Sequence, residues 1–213
     1  MFHQNLSQQE SRQNSSITVA KFGGTSVADY QAMLRCAHII KNDNNNRLVV
    51  VSASAGVTNY LVRLSQENIS DAEQTEIIEK IQAIQLNITQ HLASDVELLL
   101  NSEIVSLLDQ LSVHALKQSQ QYSVKQGDAI LAFGEQFSSR IFSQVLQSIG
   151  VNGHYFNVQQ VMKTNSLYGK AVVDIEQLSL ACGELLSPKL SKQVLVTHTL
   201  SGDGFIKFFT FAV

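Results

Sequence analysis

The segment Lys21-Phe22-Gly23-Gly24-Thr25-Ser26 most strongly constrains the fold, because it follows a short apolar run and precedes a helical pattern. This order predicts a strand, a glycine turn and a helix beginning near Val27. Two glycines let the backbone approach a ligand with φ values that other residues avoid, and a helix start presents N–H groups to an anion. Lys21 adds positive charge, and Thr25 and Ser26 are candidate helix caps. The segment predicts a phosphate site; an ordinary turn with a solvated lysine is the alternative.

A second strand follows at Leu48-Val49-Val50-Val51, a continuous β-branched run of the kind found in parallel strands covered on both faces. With the first strand and helix it predicts a right-handed βαβ unit. The run ends in small and hydroxylated residues, 52–59, that lead into another helix. Ligands bind at the carboxyl ends of strands in such sheets, so both loops are predicted to lie at one functional edge. A tight helix start alone is the other interpretation of residues 52–59.

Composition narrows the classes of function and location. The chain has 213 residues, 44% of them hydrophobic, and a net charge of −3, which argues against binding of nucleic acid or an anionic membrane. Cys36 and Cys182 lie too far apart in sequence to suggest a metal site, and no disulfide framework is indicated. Residues 1–16 are polar and lack the apolar segment of a secretory signal. We therefore expect a cytoplasmic protein, without a membrane span, and a disordered polar tail over residues 1–16.

The rest of the chain alternates helical and strand patterns. Residues 71–121 carry two apolar stripes and predict an inserted helical pair. A further helix is predicted from about Gln126 to a stop at Gly150, near the usual C′ position. It carries Gly134-Glu135 in its interior, where glycine costs about 1 kcal/mol relative to alanine. Close approach by either a ligand or a neighbouring element would explain that glycine. Further segments predict a strand at 153–158, a helix at 174–186 ending at Ser187 and Pro188, and a strand at 193–197. The fold class is α/β, with three αβα layers around a mainly parallel sheet.

Three blocks in this order resemble the aspartokinases of the amino acid kinase family. The blocks are Lys21 to Val27, then Val51 to Asn59 with its Ser-Ala-Ser-Ala-Gly core, then Phe133-Gly134-Glu135. Together with Val-Met-Lys-Thr-Asn at 161–165, they look most similar to the monofunctional, lysine-sensitive bacterial type. The similarity runs from about Ile17 to Thr197. The two commonest nucleotide fingerprints, Gly-x-Gly-x-x-Gly and the Walker motif, are absent from the sequence.

The resemblance implies phosphoryl transfer from ATP, with Mg²⁺ carried mainly by ATP, to the β-carboxylate of L-aspartate. By position, Lys21 would be the catalytic residue that binds the transferring phosphoryl group, and phosphate would also be held by Gly23, Gly24 and Ser26. Substrate would be bound by Ser52, Thr58 and Glu135, with Glu135 accepting the α-ammonium group. No protein ligands for a metal are implied. Because the substrate is itself the nucleophile, no Ser-His-Asp or Cys-His set is required.

Aspartokinases continue into a second half of the kinase domain, which has a Gly-Arg-Gly-Gly-Ser-Asp motif and an adenine subsite; neither occurs in this sequence. Residues 17–197 are thus predicted to be the N-terminal part of an amino acid kinase domain, incomplete at its C-terminus. Residues 198–213, with three phenylalanines in the last six residues, are predicted to be an aberrant tail. An unpaired sheet edge is then expected, giving low stability or association, including homo-oligomers, through that edge.

Two alternatives remain open at this stage. The chain could be a catalytically inactive remnant or interaction module of an aspartokinase, which would pair with another chain and bind no ligand. It could also be another amino acid kinase, such as one acting on acetylglutamate, although the Lys-Phe-Gly-Gly-Thr-Ser form disfavours this.

Overall fold

Four parallel strands form one sheet in the computed structural model, which describes residues 17–165, 168 and 171–198. The strands are β1 (Thr18–Phe22), β2 (Asn46–Val51), β3 (Gly153–Tyr155) and β4 (Val194–His198). Their order is β1-β2-β4-β3, so β1 and β3 lie at the edges of the described sheet. The predicted polar tail, 1–16, and residues 199–213 lie outside the described residues.

Seven α-helices occur in the described ranges: α1 (Tyr30–Lys41), α2 (Val57–Leu64), α3 (Asp71–Thr89), α4 (Ser94–Gln120), α5 (Val124–Ser148), α6 (Ile175–Ala181) and α7 (Ser187–Leu190). The predicted helical pair is present as α3 and α4. The predicted end of the next helix is also confirmed, because Gly150 follows α5 with a φ of +82° that favours glycine. No helix in these ranges combines the length and apolarity needed to cross a bilayer.

Side chains from the two faces of the sheet enter two separate apolar clusters. On one face, Val49, Val51 and Val196 pack with buried residues of α1, α2 and α5, and this cluster continues into α3 and α4. On the other face, Leu48, Val50 and Leu195 pack against α6, α7 and the segment between them. The side chains of β2 and β4 alternate between the two clusters, as the twofold period of a strand requires. This arrangement confirms the predicted three-layer αβα fold.

Three predicted boundaries were wrong. The helix predicted to stop at Ser187 continues through a π-turn, Cys182–Leu186, into α7, because Pro188 occupies the first turn, where a missing N–H is tolerated. The strand predicted at 153–158 ends at Tyr155, and a 3₁₀ turn follows from Val158. The last predicted strand extends one residue further than expected. His198, assigned from sequence to the aberrant tail, is the final residue of β4 and is fully buried.

Candidate active site

The carboxyl ends of β1 and β2 lie side by side, as predicted from the βαβ unit. The Ser52 N–H donates a 3.0 Å hydrogen bond to the Phe22 carbonyl oxygen, directly beyond the paired residues Phe22 and Val51. Lys21 pairs with Val50 one position earlier and is exposed. Because Val50 belongs to the cluster on the α6 face, the register directs Lys21 to that face. The two predicted loops therefore start side by side, at the carboxyl-terminal ends of β1 and β2.

The two glycines of the first loop do not have the conformation expected from the sequence. Gly23 is extended, with φ −78° and ψ 172°, and neither Gly23 nor Gly24 has a positive φ. A Cβ on Gly24 would lie 2.8 Å from the Ala53 carbonyl oxygen, so close packing of the two loops excludes a side chain there. A Cβ on Gly23 would meet nothing within 4 Å. Gly23 thus faces open space, which leaves room for a ligand against the backbone.

The predicted helix start at Val27 is a 3₁₀ turn, Gly24–Val27, in which the Ser26 N–H donates to the Gly23 carbonyl oxygen at 2.9 Å. The α-helix begins only at Tyr30, and its cap is Asp29, whose carboxylate accepts from the Ala32 N–H at 2.7 Å. The expectation that Thr25 or Ser26 caps this helix was therefore wrong. The side chain of an aspartate satisfies the helix N–H group directly, so the hydroxyls are not needed for it.

The second loop leads into α2 through a left-handed residue. Gly56 has a φ of +85° at the N-cap position of α2, so the left-handed glycine of the site lies in this loop rather than in the first. The Val57 N–H donates to the Ser54 carbonyl oxygen at 3.1 Å and closes the turn. Thr58 follows in the first turn of α2 and is exposed, whereas Ser52 is half-buried. Both predicted substrate hydroxyls thus belong to the loop and helix start beyond β2.

The third block reaches this loop through α5. A Cβ on Gly134 would lie 2.7 Å from the Ala53 Cβ and 2.8 Å from Leu61 Cδ1. Close packing, rather than a ligand, therefore explains the glycine in this helix. One turn further on, Ser138 Oγ donates a 2.8 Å hydrogen bond to the Ser52 carbonyl oxygen. All three sequence blocks therefore meet at the two residues Ser52 and Ala53.

Glu135 lies between those two contacts on α5, and its side chain is 21% exposed. Its carboxylate Oε2 is 3.8 Å from Nδ1 of His198, at the end of β4. His198 itself is fully buried. No sequence motif surrounds His198, and its position placed it in the predicted tail. A hydrogen bond from a side chain to a backbone oxygen, such as that of Ser138, leaves no sequence signal.

The described residues offer little to a metal ion by themselves. They contain no group of three or more His, Cys, Asp or Glu side chains placed to hold one. Mg²⁺ prefers six oxygen ligands and commonly keeps several waters and phosphate oxygens. The residues that the structure describes do not form a dedicated magnesium cage.

Residues 16–206 match the family model described as the amino acid kinase family. The chain belongs to this family. The match continues past Thr197, the end of the resemblance seen in the sequence.

Within the family, the chain is similar to aspartokinases. It is 38% identical over 189 residues to lysine-sensitive aspartokinase 3 of Escherichia coli, covering 89% of this chain and 41% of that protein. A Haemophilus influenzae protein, named as a presumed inactive aspartokinase 3, is 53% identical over 62 residues, covering 29% of this chain and 50% of that protein. The crystal structure of E. coli aspartokinase III with aspartate and ADP superposes with a TM-score of 0.82, covering 86% of this chain and 40% of that one. The chain thus spans about two fifths of the E. coli relative.

Proposed function

We propose that the loops after β1 and β2, together with α5, form the aspartate-side half of an aspartokinase active site. The complete site would transfer the γ-phosphoryl group of ATP to the β-carboxylate of L-aspartate. The observation that carries this proposal is the meeting of the three sequence blocks at Ser52 and Ala53, through contacts to Phe22, Gly24 and Ser138. Similarity to an E. coli structure that contains aspartate and ADP supports it.

Lys21, Gly23, Gly24 and Ser26 have the phosphate-binding role in this proposal. A carboxylate oxygen of aspartate forms a bond to the γ-phosphorus while the bond to the β–γ bridging oxygen breaks and ADP leaves. Charge spreads over the equatorial phosphoryl oxygens during this step, and fixed positive charge stabilises it. Lys21 supplies such a charge from the end of a strand. Gly23 faces open space, so phosphate oxygens can approach the backbone there.

Ser52, Thr58 and Glu135 have the substrate-binding role. Ser52 and Thr58 present hydroxyl groups beyond β2, on the loop that the glycine turn packs against. Glu135 presents a partly exposed carboxylate from the helix that packs on the same loop. A carboxylate in that position attracts the α-ammonium of an amino acid and discriminates against dicarboxylates that lack one. Charge-assisted hydrogen bonds of this kind are worth about 1.5–3 kcal/mol.

ATP is the proposed phosphoryl donor, and Mg²⁺ would be held mainly by its phosphate oxygens. The sequence contains no Gly-Arg-Gly-Gly-Ser-Asp motif. Each missing contact to a charged substrate group removes about 1.5–3 kcal/mol of binding free energy. A polypeptide of only these 213 residues is therefore proposed to bind aspartate weakly and to turn it over little.

We also propose a cytoplasmic location, in keeping with two buried cysteines that are free thiols.

Isothermal titration of the 213-residue chain tests the half-site. L-aspartate is expected to bind, and succinate, which lacks the ammonium group, is expected to bind more weakly. Glu135→Gln should remove this preference for aspartate. Glu176→Gln, on the exposed surface of α6, is the matched control and should leave it unchanged. Equal affinity of the wild-type chain for both ligands, or no binding of either, would refute the substrate assignment.

A coupled assay with MgATP should show little turnover, and turnover equal to that of a full-length homologue would contradict the proposed loss of activity.

A second candidate is an inactive module that acts by pairing with another chain. The Haemophilus influenzae relative, whose name presumes inactivity, and the 41% coverage of the E. coli protein favour it. Pairing, with a second copy or another chain, would use an unpaired edge strand, and β1 is such an edge in the described sheet. This candidate predicts no heat on addition of aspartate and a melting temperature that rises with protein concentration or with a partner. The half-site predicts aspartate binding at any protein concentration.

A further inference from the structure

The carboxylate of Glu135 faces a histidine that no sequence block includes. Glu135 Oε2 and His198 Nδ1 are 3.8 Å apart, within ion-pair distance. The carboxylate is partly open to solvent, and the imidazole is completely enclosed. The histidine therefore approaches Glu135 from the protein interior, while about a fifth of the Glu135 side chain is exposed.

The sheet holds His198 in this place. His198 pairs with Val51 across β2 and β4, and Val51 is the residue before Ser52. Val194 and Val196 of the same strand belong to the apolar cluster beneath α5, and strand alternation directs His198 to that same face. The imidazole thus stands on a central strand, whereas Glu135 stands on the helix that crosses that face. A rigid element supports each partner.

We propose that His198 is a positioning residue, whose Nδ1 faces Glu135 and whose N–H dipole orients the carboxylate toward the α-ammonium group of an amino dicarboxylate. This inference rests on the proposed function. A neutral imidazole with a proton on Nδ1 presents the positive end of an N–H dipole to the carboxylate and leaves the full negative charge on it. The oriented carboxylate then discriminates by the presence of an ammonium group. His198 would set the preference for aspartate over succinate without contacting either ligand.

The first test observes the contact without any ligand. Nitrogen-15 spectra of the histidine-labelled wild-type chain should show a protonated Nδ1 for His198, assigned by its loss in His198→Gln. That nitrogen signal should move in Glu135→Gln. An unprotonated Nδ1, or a signal that does not respond to Glu135→Gln, would overturn the proposal.

The second test measures affinity for L-aspartate and succinate in the same chain. His198→Phe should weaken aspartate binding about fivefold, the effect of losing one polar contact, and leave succinate unchanged. His198→Gln, which retains an N–H donor, should restore most of the aspartate affinity. His154→Gln is the matched control, because His154 lies exposed on β3 and its ring contacts Asn152. A merely structural role would instead weaken both ligands equally and lower the melting temperature.

The outcomes separate the two proposals. If wild-type chain binds no aspartate, the proposed function fails and the specificity role of His198 fails with it, while the nitrogen spectrum still decides whether the contact exists. If aspartate binds and the ratio of aspartate to succinate affinity is the same in His198→Phe as in wild type, only the positioning role is overturned.

Discussion

Ser138 donates a 2.8 Å hydrogen bond from its Oγ to the carbonyl oxygen of Ser52, a residue 86 positions earlier in the chain. The bond joins the helix that carries Glu135 to the loop that carries the predicted substrate hydroxyls. Four residues before Ser138, Gly134 lets the same helix approach Ala53 closely. One hydrogen bond and one close glycine contact therefore join the helix of the carboxylate directly to the loop.

Replacing Ser138 with alanine should reduce the free energy of unfolding by about 1 kcal/mol, because the Ser52 carbonyl oxygen loses the fully buried Ser138 hydroxyl as its donor. Urea unfolding measures this change. Ser139→Ala is the control, since the equally buried Ser139 hydroxyl donates only within α5, at 2.7 Å to the Glu135 carbonyl oxygen. Ser138→Ala should also speed amide exchange in the Ser52 loop. Equal effects of the two substitutions would show that the link to Ser52 contributes nothing.

Gly134→Ala should destabilise the chain by about 1–3 kcal/mol, although alanine is the better helix former. The added methyl group would lie 2.7 Å from the Ala53 Cβ, which cannot rotate away. Gly183→Ala, in the π-turn after α6, meets nothing within 4 Å and should be neutral or stabilising. Thermal melting of both variants checks the prediction. A stable Gly134→Ala variant would mean that α5 can move away from the loop without loss.

Gln85→Leu should raise the free energy of unfolding by about 1–3 kcal/mol. Gln85 is fully buried in α3, and within the described part of the chain neither its amide nitrogen nor its amide oxygen has a hydrogen-bond partner. Gln118→Leu in α4 is the contrasting variant and should destabilise. Its amide donates to the Ser65 carbonyl oxygen at 2.6 Å and accepts from the Ser123 N–H at 3.1 Å. Urea unfolding would contradict the prediction if the two variants changed stability in the same direction.

Stability should fall with rising pH above about pH 9 because of Cys182. Burial raises the pKa of this thiol to about 11 from its ordinary value of 9.0. Between these values the unfolded thiol loses its proton while the folded one keeps it, so the free energy of unfolding decreases as pH rises toward 11. Unfolding of wild type and Cys182→Ala at pH 8 and pH 10.5 isolates this contribution. If the stability of both proteins changed equally with pH, Cys182 would not be the source of the pH dependence.

The folded wild type should also react slowly with a thiol reagent near pH 8, since the thiolate is the reactive form.

Local signals allowed much of the fold to be predicted. The β-branched run at 48–51 and the apolar stripes over 71–121 predicted β2, α3 and α4, because side-chain periodicity is set by the geometry of each element. Gly150 predicted the end of α5, since its conformation is one that glycine adopts readily. The three blocks at Lys21, Ser52 and Glu135 were selected from sequence order and resemblance, and the parallel sheet brings their elements to one edge. The roles of those residues remain proposals.

Tertiary contacts alone decided the rest. The glycine at position 24 looked like a conformational requirement, but its cause is the Ala53 carbonyl oxygen 2.8 Å from where a Cβ would be. Gly134 likewise fits a packing contact with Ala53. His198 has no sequence signal at all, because its importance lies in a 3.8 Å approach to Glu135 from a different strand. Residue type and the local spacing of apolar residues determined which helices and strands form. Which side chains meet was decided only when the sheet and α5 packed together, since such distances depend on residues far apart in the chain.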